Sequence, residues 1–70
     1  MTELKEFGEF LKALRKSKKM TQKELAIRSN LTEVSICNLE KGKNRPQSKT
    51  IAQLSKALEC DYDLLFNKIK

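Results

Sequence analysis

Two short amphipathic patterns stand side by side in the middle of the chain, and the brief joint between them constrains the fold more than any other feature. Residues 24–42 read ELAIRSNLTEVSICNLEKG. Apolar spacing marks one helix that ends near Ser29 and Asn30, and another that begins after Thr32. A connection of about three residues makes the two helices cross steeply instead of lying antiparallel. Their backbones then come close, so the residue at the contact must be small, and Ala26 is placed for it.

Capping residues mark where the neighbouring helices begin and end. In the segment TQKE, Thr21 can accept a hydrogen bond from a free helical amide while Glu24 reaches back, which is a capping box. Thr32 and Asp61 stand where they can cap the third and fifth helices. Asn30 tolerates the left-handed conformation that a sharp helix exit needs. These signals predict short helices with closely spaced boundaries.

Few residues interrupt the helical pattern, since the chain contains only two glycines and one proline. Gly42 ends the third helix, and Pro46 prevents the fourth from extending backwards. Apolar spacing predicts a first helix over 4–17, a fourth over 48–58 and a fifth within the segment YDLLFNKI. No segment reads as a credible strand. The sequence therefore predicts one compact all-α domain of five helices covering residues 1–70.

The apolar residues of these helices fall on inward faces and provide a single small core. The residues predicted to lie in it are Phe7, Leu11, Leu14, Leu25, Ala26, Leu31, Ile36, Leu39, Ile51, Leu54 and Leu58. Phe10 widens the apolar face of the first helix, and two roles stay open for it, the edge of the core and contact with a partner. A chain of this length lies near the lower limit for a core that folds without disulfides or metals.

Positive charge is concentrated in the middle of the chain. The formal net charge is +6, from 15 Lys and Arg against 9 Asp and Glu. Residues 1–10 carry a net −2, residues 11–50 a net +8, and residues 51–70 no net charge. A basic segment between acidic and neutral ends suggests a polyanionic partner such as nucleic acid. Charge alone is a weak argument, because many basic proteins are simply soluble.

Several classes of protein are disfavoured by what the sequence lacks. It has no histidine, no glycine-rich phosphate loop and no paired carboxylates in a cleft, so we expect no enzyme, no metal site and no cofactor. Nothing in it reads as a membrane span or a signal peptide, so we expect a cytoplasmic protein without a membrane partner. No small-molecule ligand is predicted. Cys37 and Cys60 are interpreted as idle thiols, with a redox switch as the alternative.

Several motifs occur together and in a characteristic order: FGEFLKALR, MTQKELA, SNLTEVSICNLEKGKNRP and LSKALECDYDLL. With them the chain resembles the helix-turn-helix family of phage repressors and Cro proteins, the Xre-type transcriptional regulators, along nearly its whole length. The resemblance implies a lambda-repressor-like DNA-binding domain in which helices 2 and 3 form the helix-turn-helix. Family members usually carry glycine where Asn30 and Glu59 stand. A left-handed Glu59 would cost on the order of 1 kcal/mol.

The resemblance also implies an ion pair between Arg15 and Glu40, which would tie the first helix to the end of the third. The sequence is consistent with this pair, because Glu40 follows the inward-facing Leu39 and so lies at the edge of the core. Such a pair adds little net stability, but removal of one partner leaves a partly buried charge without compensation.

The outer face of the third helix is predicted to read DNA. At about 100° per residue, Val34, Asn38 and Lys41 point away from the core. A solvated surface explains Val34 poorly, whereas a major-groove reader uses this mixture, because asparagine pairs with adenine, carboxylates accept from cytosine and methyl groups contact thymine. With the family's docking mode, the predicted base-contacting residues are Glu33, Val34, Ser35, Cys37 and Asn38. Glu33 has the open alternative of rejecting wrong sites by its charge.

Polar and basic residues around this face are predicted to contact DNA phosphates, which position a domain without reading sequence. They are Gln22, Lys23, Thr32, Lys41, Lys43, Asn44 and Arg45. Gln22 begins helix 2, where its side chain and the neighbouring free amides can meet a phosphate oxygen. The family also places a backbone-contacting residue there. Arg45 has the alternative of entering a narrow minor groove in A·T-rich DNA.

The C-terminal helix is predicted to join two copies of the chain. One domain reads only a few base pairs, so we expect a homodimer on a palindromic double-stranded operator whose half-sites lie about 34 Å apart. The family often dimerises through its C-terminal end. The residues predicted to form this interface are Tyr62, Leu64, Phe66 and Ile69. Leu64 is the first choice, because Tyr62 and Phe66 have the alternative of covering helices 1 and 4.

These patterns together predict a sequence-specific DNA-binding regulator of bacterial or phage type, most simply a repressor. Activation through an adjacent polymerase is also open, as in controllers of restriction–modification systems. Competing hypotheses are an antitoxin or protein-binding adaptor on the same scaffold, and a non-specific DNA coater. The antitoxin would need a toxin-neutralising tail, which we do not find in the 70 residues. The coater gives no reason for Val34 and Asn38 to occur together.

Overall fold

Five α-helices make up the part of the chain, residues 3–69, that the computed structural model describes. They are α1 (Glu3–Ser17), α2 (Gln22–Ser29), α3 (Glu33–Glu40), α4 (Ser48–Ala57) and α5 (Tyr62–Phe66). The predicted all-α fold is confirmed, and no strand occurs within these residues. The fifth helix is shorter than predicted, because after Phe66 the chain tightens into a turn in which the Ile69 amide bonds the Phe66 carbonyl at 3.1 Å.

Side-chain caps fix the beginnings of α2 and α3. The Glu24 amide donates to Thr21 Oγ1 at 3.0 Å and the Thr21 amide donates to Glu24 Oε1 at 2.9 Å, which completes the predicted capping box. These bonds from Thr21 lower the pKa of Glu24. Thr32 caps α3 by accepting from the Ser35 amide at 3.0 Å. Asp61 occupies the N-cap position of α5, but its side chain makes no capping bond, so the capping role predicted for it is wrong.

Helices α1 to α4 all end with one residue in the left-handed conformation. These residues are Lys19 (φ 60°), Asn30 (φ 60°), Gly42 (φ 75°) and Glu59 (φ 55°). In each case the following amide reaches back five residues to a carbonyl in the last helical turn, as in a Schellman motif. The backbone at Asn30 and Glu59 therefore follows the geometry for which glycine is favoured. Lys19 and Glu59 each carry about 1–2 kcal/mol of backbone strain.

The core is assembled from all five helices and three residues that flank them, Met20, Leu58 and Ile69. Its buried members are Phe7, Leu11, Met20, Leu25, Ala26, Ile36, Leu39, Ile51, Leu54, Leu58, Leu65 and Ile69. Leu14 and Leu31 were predicted to lie inside and instead pack half-buried against it. Phe10 takes the same edge position, and its ring lies 4.8 Å below the Lys68 ammonium. Ala26 is buried in α2, and its carbonyl accepts a hydrogen bond from the amide of Leu31 in the three-residue connection to α3.

A buried ion pair joins α1 to the end of α3. Arg15 Nε lies 2.6 Å from Glu40 Oε2 and Arg15 Nη2 lies 3.1 Å from Oε1, so the two planar groups meet through two bonds. Arg15 Nη1 donates to the Met20 carbonyl at 2.7 Å. The exposed fractions of Arg15 and Glu40 are only 6% and 8%. The hydrogen bond to Glu40 raises the pKa of Arg15, so the guanidinium keeps its charge although it is buried.

α1 also presses directly on the end of α3, at a glycine in the middle of α1. A Cβ on Gly8 would lie 2.5 Å from the carbonyl oxygens of both Leu39 and Glu40. A Cβ on Gly42 would lie 2.9 Å from the Cα of Lys5, which is one helical turn before Gly8 in α1. The obstructing atoms belong to the backbone, so a side chain at Gly8 could be admitted only by moving a helix. No local pattern in the sequence predicts this contact.

Replacement of Glu40 tests the buried pair. We expect Glu40→Ala to lower the free energy of unfolding by about 3 kcal/mol, because Arg15 is left as a buried charge without a partner. The control, Glu33→Ala, removes an exposed carboxylate from the first turn of α3 and should cost about 0.5 kcal/mol. Urea titration of both variants gives the comparison, and equal losses would contradict the structural role of the pair.

Gly8→Ala tests the close approach of α1 to α3. In an unobstructed helix interior this change stabilises by about 0.5–1 kcal/mol. Here we expect the opposite sign, a loss of about 1–3 kcal/mol, because the new methyl group collides with two backbone carbonyls. Thermal melts should show the decrease, with Glu9→Ala as the exposed control on the same helix. An unchanged or raised melting temperature for Gly8→Ala would show that the helices separate freely.

Candidate nucleic-acid interface

The outer face of α3 presents an apolar and an amide side chain to solvent. Val34 is 69% exposed, and Asn38, one turn further along the helix, is half-buried. Beneath them Ile36 and Leu39 are buried in the core. Glu33 is exposed beside Val34, at the start of the helix. The face therefore combines three kinds of group. The carboxylate can accept hydrogen bonds, the branched apolar group can contact a methyl group, and the amide can both donate and accept hydrogen bonds.

Two other predicted base-contacting residues lie at the flanks of this face. Cys37 is half-buried. Ser35 is half-buried as well, and its Oγ accepts a hydrogen bond from the Thr32 hydroxyl at 2.9 Å. The Thr32 hydroxyl oxygen also accepts from the Ser35 amide, so Thr32 is engaged in capping before any phosphate approaches it. Among the predicted base-contacting residues, Glu33 and Val34 are the most open to a ligand.

A polar groove runs beside α3 towards the beginning of α4. It has a volume of about 460 Å³ and includes three of the predicted phosphate-contacting residues, Lys43, Asn44 and Arg45. Its remaining lining residues are Leu31, Ser35, Leu39, Pro46, Gln47 and Thr50. Gln47 stands at the N-cap of α4 without a side-chain cap, and the first turn of α4 has no acidic residue. The positive end of the α4 dipole therefore adds to the basic side chains of the groove.

Gln47 and Thr50 line this groove and were not among the predicted DNA-contacting residues. Neither residue has a charge or a recognisable spacing, and both reach the groove only because α4 begins beside α3. A usable signal was present nonetheless. The segment SKT at residues 48–50 opens a helix without the acidic residue that commonly stabilises a first turn. Such a helix start leaves room for an external anion.

Three of the predicted phosphate-contacting residues lie in other surroundings. Lys23 and Lys41 are exposed, at the start of α2 and the end of α3. Gln22 is half-buried, and its Nε2 donates to Glu40 Oε1 at 3.0 Å.

The groove residue Arg45 is attached to the C-terminal turn of the chain. Its Nη2 donates to the Ile69 carbonyl at 2.9 Å. This attachment fixes one nitrogen of Arg45 and leaves its other N–H groups able to contact an anion.

A second apolar surface lies on α5. Leu64 is 43% exposed and Phe66 is 36% exposed. The Tyr62 ring stacks on Phe66 with the centroids 5.7 Å apart, and Tyr62 is half-buried against the core. Ile69 was predicted to share this surface, and that prediction is wrong, because its side chain is 3% exposed and belongs to the core. Leu64 on α5 and Ile69 in the turn that follows α5 therefore point in different directions.

The side chains and helices of residues 3–69 bear on two other kinds of site, metal centres and membrane spans. Within them no His, Cys, Asp and Glu side chains gather in a group of three that could hold a metal, and no helix has the length and apolarity needed to cross a membrane. Cys37 and Cys60 are free thiols. Burial raises the pKa of the Cys60 thiol, which lowers its thiolate fraction and its reactivity.

Sequence comparison shows what the chain is similar to. A family model described as helix-turn-helix matches residues 11–65. The HTH-type transcriptional repressor RghR of Bacillus subtilis (strain 168) is 38% identical over 66 residues, which are 93% of this chain and 49% of RghR. The HTH-type transcriptional regulator DicA of Escherichia coli (strain K12) is 38% identical over 53 residues, which are 76% of this chain and 39% of DicA. The chain thus spans about half or less of the length of these relatives.

Solved structures show the same similarity in three dimensions. The restriction-modification controller protein C.AhdI from Aeromonas hydrophila superposes with a TM-score of 0.87 at 32% identity, covering 90% of this chain and 96% of the controller. The P22 c2 repressor protein, in complex with synthetic operator 9T, superposes with a TM-score of 0.79 at 34% identity, covering 84% of this chain and 89% of the repressor. The arrangement of five helices is therefore one that is known from DNA-binding repressors.

Proposed function

The chain belongs to the helix-turn-helix family of transcriptional regulators, and on that premise we propose that it is a repressor that binds operator half-sites as a homodimer. Residues 1–70 would act as its DNA-binding domain, with α3 in the major groove. The family is a class of DNA-binding regulators and not a class of enzymes. As a regulator of transcription the protein would work in the bacterial cytoplasm, where the DNA is.

The observation that carries this proposal is the 69% exposure of Val34 on the same face as Asn38. An α-helix with its side chains has a diameter of about 10–12 Å, which matches the width of about 12 Å of the major groove. In that groove Val34 can rest on a thymine methyl group, and the Asn38 amide can bond adenine through two atoms. Glu33 beside them can accept from a cytosine amine or repel wrong sites.

The groove beside α3 supports binding to DNA in preference to an adaptor role. Lys43 and Arg45 bring two positive charges to the uncapped start of α4, and both contribute to an anion-attracting surface. Gln22 and Lys23 provide a second set of donors at the start of α2. A polyanion with a repeating phosphate spacing can engage both sets at once, whereas a protein partner would need acidic residues at matching positions.

The dimer is supported by the apolar surface on α5. Leu64 and Phe66 expose apolar area that the monomer's core does not use. A two-fold dimer would cover this area and place two reading helices on half-sites about 34 Å apart. The domain measures 27 × 22 × 21 Å, so two copies in contact are long enough to span both half-sites. Tyr62 stacked on Phe66 would stiffen the contact surface.

Selection of binding sites from random duplex DNA tests the function. We expect the wild-type protein to enrich a palindromic motif, with binding that weakens steeply as salt is raised. Asn38→Ala should relax preference at one position in each half-site, at a cost of about 1–3 kcal/mol for the preferred base. Gln53→Ala, which removes a half-buried amide from α4, is the control and should enrich the wild-type motif. Uniform enrichment would indicate a non-specific coater, and no enrichment an adaptor.

Sedimentation of Leu64→Asp tests the dimer. We expect this variant to sediment as a monomer at concentrations where the wild type is dimeric, because a buried carboxylate without a partner is costly at an interface. Its affinity for a full operator should fall at least tenfold, which corresponds to about 1.4 kcal/mol, since one half-site contact is lost. Ile27→Asp is the matched control for sedimentation, because Ile27 is an exposed apolar residue on α2. Unchanged sedimentation of Leu64→Asp would place the contact between copies elsewhere.

A further inference from the structure

The Glu40 carboxylate bonds more than its ion-pair partner. Its Oε2 faces Arg15 Nε at 2.6 Å, while its Oε1 accepts both from Arg15 Nη2 at 3.1 Å and from Gln22 Nε2 at 3.0 Å. Arg15 in turn is held by the Met20 carbonyl. One carboxylate oxygen is therefore shared between an interior cation and a side chain at the start of α2.

Gln22 links the buried pair to the surface. Arg15 and Glu40 are both buried, whereas Gln22 is half-buried, so its amide extends from the edge of the core to the outside. Gln22 is the first residue of α2, and the Leu25 amide, three residues on, bonds the Thr21 carbonyl. The amides of Gln22 and Lys23 thus precede the hydrogen-bonded part of the helix and belong to its positive end.

The charge of Glu40 determines which way the Gln22 amide faces. A carboxylate only accepts hydrogen bonds, so it selects the amide nitrogen and turns the amide oxygen away. One of the two Nε2 hydrogens is then bonded inward, and the second remains available for an acceptor outside. A free glutamine samples many rotamers and either orientation of its amide, and fixing it on binding costs conformational entropy. In this structure Glu40 has fixed it beforehand.

We propose that Glu40, held by Arg15, is a positioning residue for DNA-backbone binding: it orients Gln22 so that one amide hydrogen meets a phosphate oxygen beside the Gln22 and Lys23 backbone amides. This role rests on the proposed function, since it requires DNA at the start of α2. It assigns the buried pair a second task besides joining α1 to α3. The end of the reading helix and the start of α2 thereby act on DNA as one unit.

A double-mutant cycle tests this role. Wild type, Gln22→Ala, Glu40→Gln and the double variant are compared for binding to a short duplex of random sequence, at a temperature where circular dichroism shows all four folded. Gln22→Ala should weaken binding about tenfold in the wild-type background, as expected for a hydrogen bond to a charged group. In the Glu40→Gln background the same change should weaken binding less than about twofold, since the amide is no longer oriented.

Lys43→Ala, measured in both backgrounds, is the control. Lys43 lines the groove beside α3 and lies outside the network of Arg15, Glu40 and Gln22. Its loss should therefore weaken binding by the same factor in the wild-type background and in the Glu40→Gln background. If Glu40→Gln merely loosened the fold, the effect of Lys43→Ala would shrink as well, and the positioning role would be overturned. Losses for Gln22→Ala that are equal in the two backgrounds would also overturn it.

Two further measurements do not depend on the stability of Glu40→Gln. Gln22→Asn keeps the amide but shortens the side chain, so it should bind as weakly as Gln22→Ala, and wild-type affinity would overturn the proposal. In the free protein, nitrogen relaxation should show the Gln22 side-chain amide to be as rigid as the helix backbone, with the exposed Gln47 as a mobile reference. A mobile Gln22 amide would also overturn it. Failure of the wild type to bind any duplex would overturn the proposed function itself, whatever the state of Gln22.

Discussion

The contact on which the rest of the structure depends is the pairing of Arg15 with Glu40. Glu40 is the last residue of α3, where the exposed carbonyls of the helix make a carboxylate unfavourable. Burial increases this penalty, and the guanidinium offsets it with two direct bonds while it also bonds the Met20 carbonyl. The pair therefore holds together three parts of the chain: α1, the loop before α2 and the end of α3. Because both ends of α3 are fixed, by the Thr32 cap at one end and by this pair at the other, the outer face of the helix has a defined direction.

Much of this architecture could be predicted from local signals. The capping box at Thr21 and Glu24, the left-handed Asn30 and the brief joint between α2 and α3 depend on neighbours in sequence, and all three appear in the structure. The family resemblance added the Arg15–Glu40 pair, which local patterns do not encode. At Lys19 no local signal predicts the left-handed conformation, because lysine, unlike glycine or asparagine, does not favour it.

What could not be predicted depends on contacts between distant residues. Gly8 reads as a neutral interruption of α1 until the carbonyls of Leu39 and Glu40 are seen to lie against it. Ile69 fits an amphipathic pattern with Leu64, and the pattern alone does not distinguish a core residue from an interface residue. The bond from Arg45 to the Ile69 carbonyl joins positions 24 residues apart in sequence and follows from how the C-terminal turn folds back. The bond between Gln22 and Glu40 likewise spans 18 residues.

The glycine in α1 also bears on how such a protein can diverge. Gly8 of α1 lies against backbone carbonyls at the end of α3, and the Arg15–Glu40 pair that also joins the two helices is buried, so most of the residues of α3 that face outward can be exchanged without disturbing either contact. Duplicated copies of the gene could therefore drift towards new target sequences by substitution along one short stripe, while the scaffold beneath stays as it is. If α1 packed instead on the outward-facing side chains of α3, each change of target sequence would have required a compensating change in the scaffold.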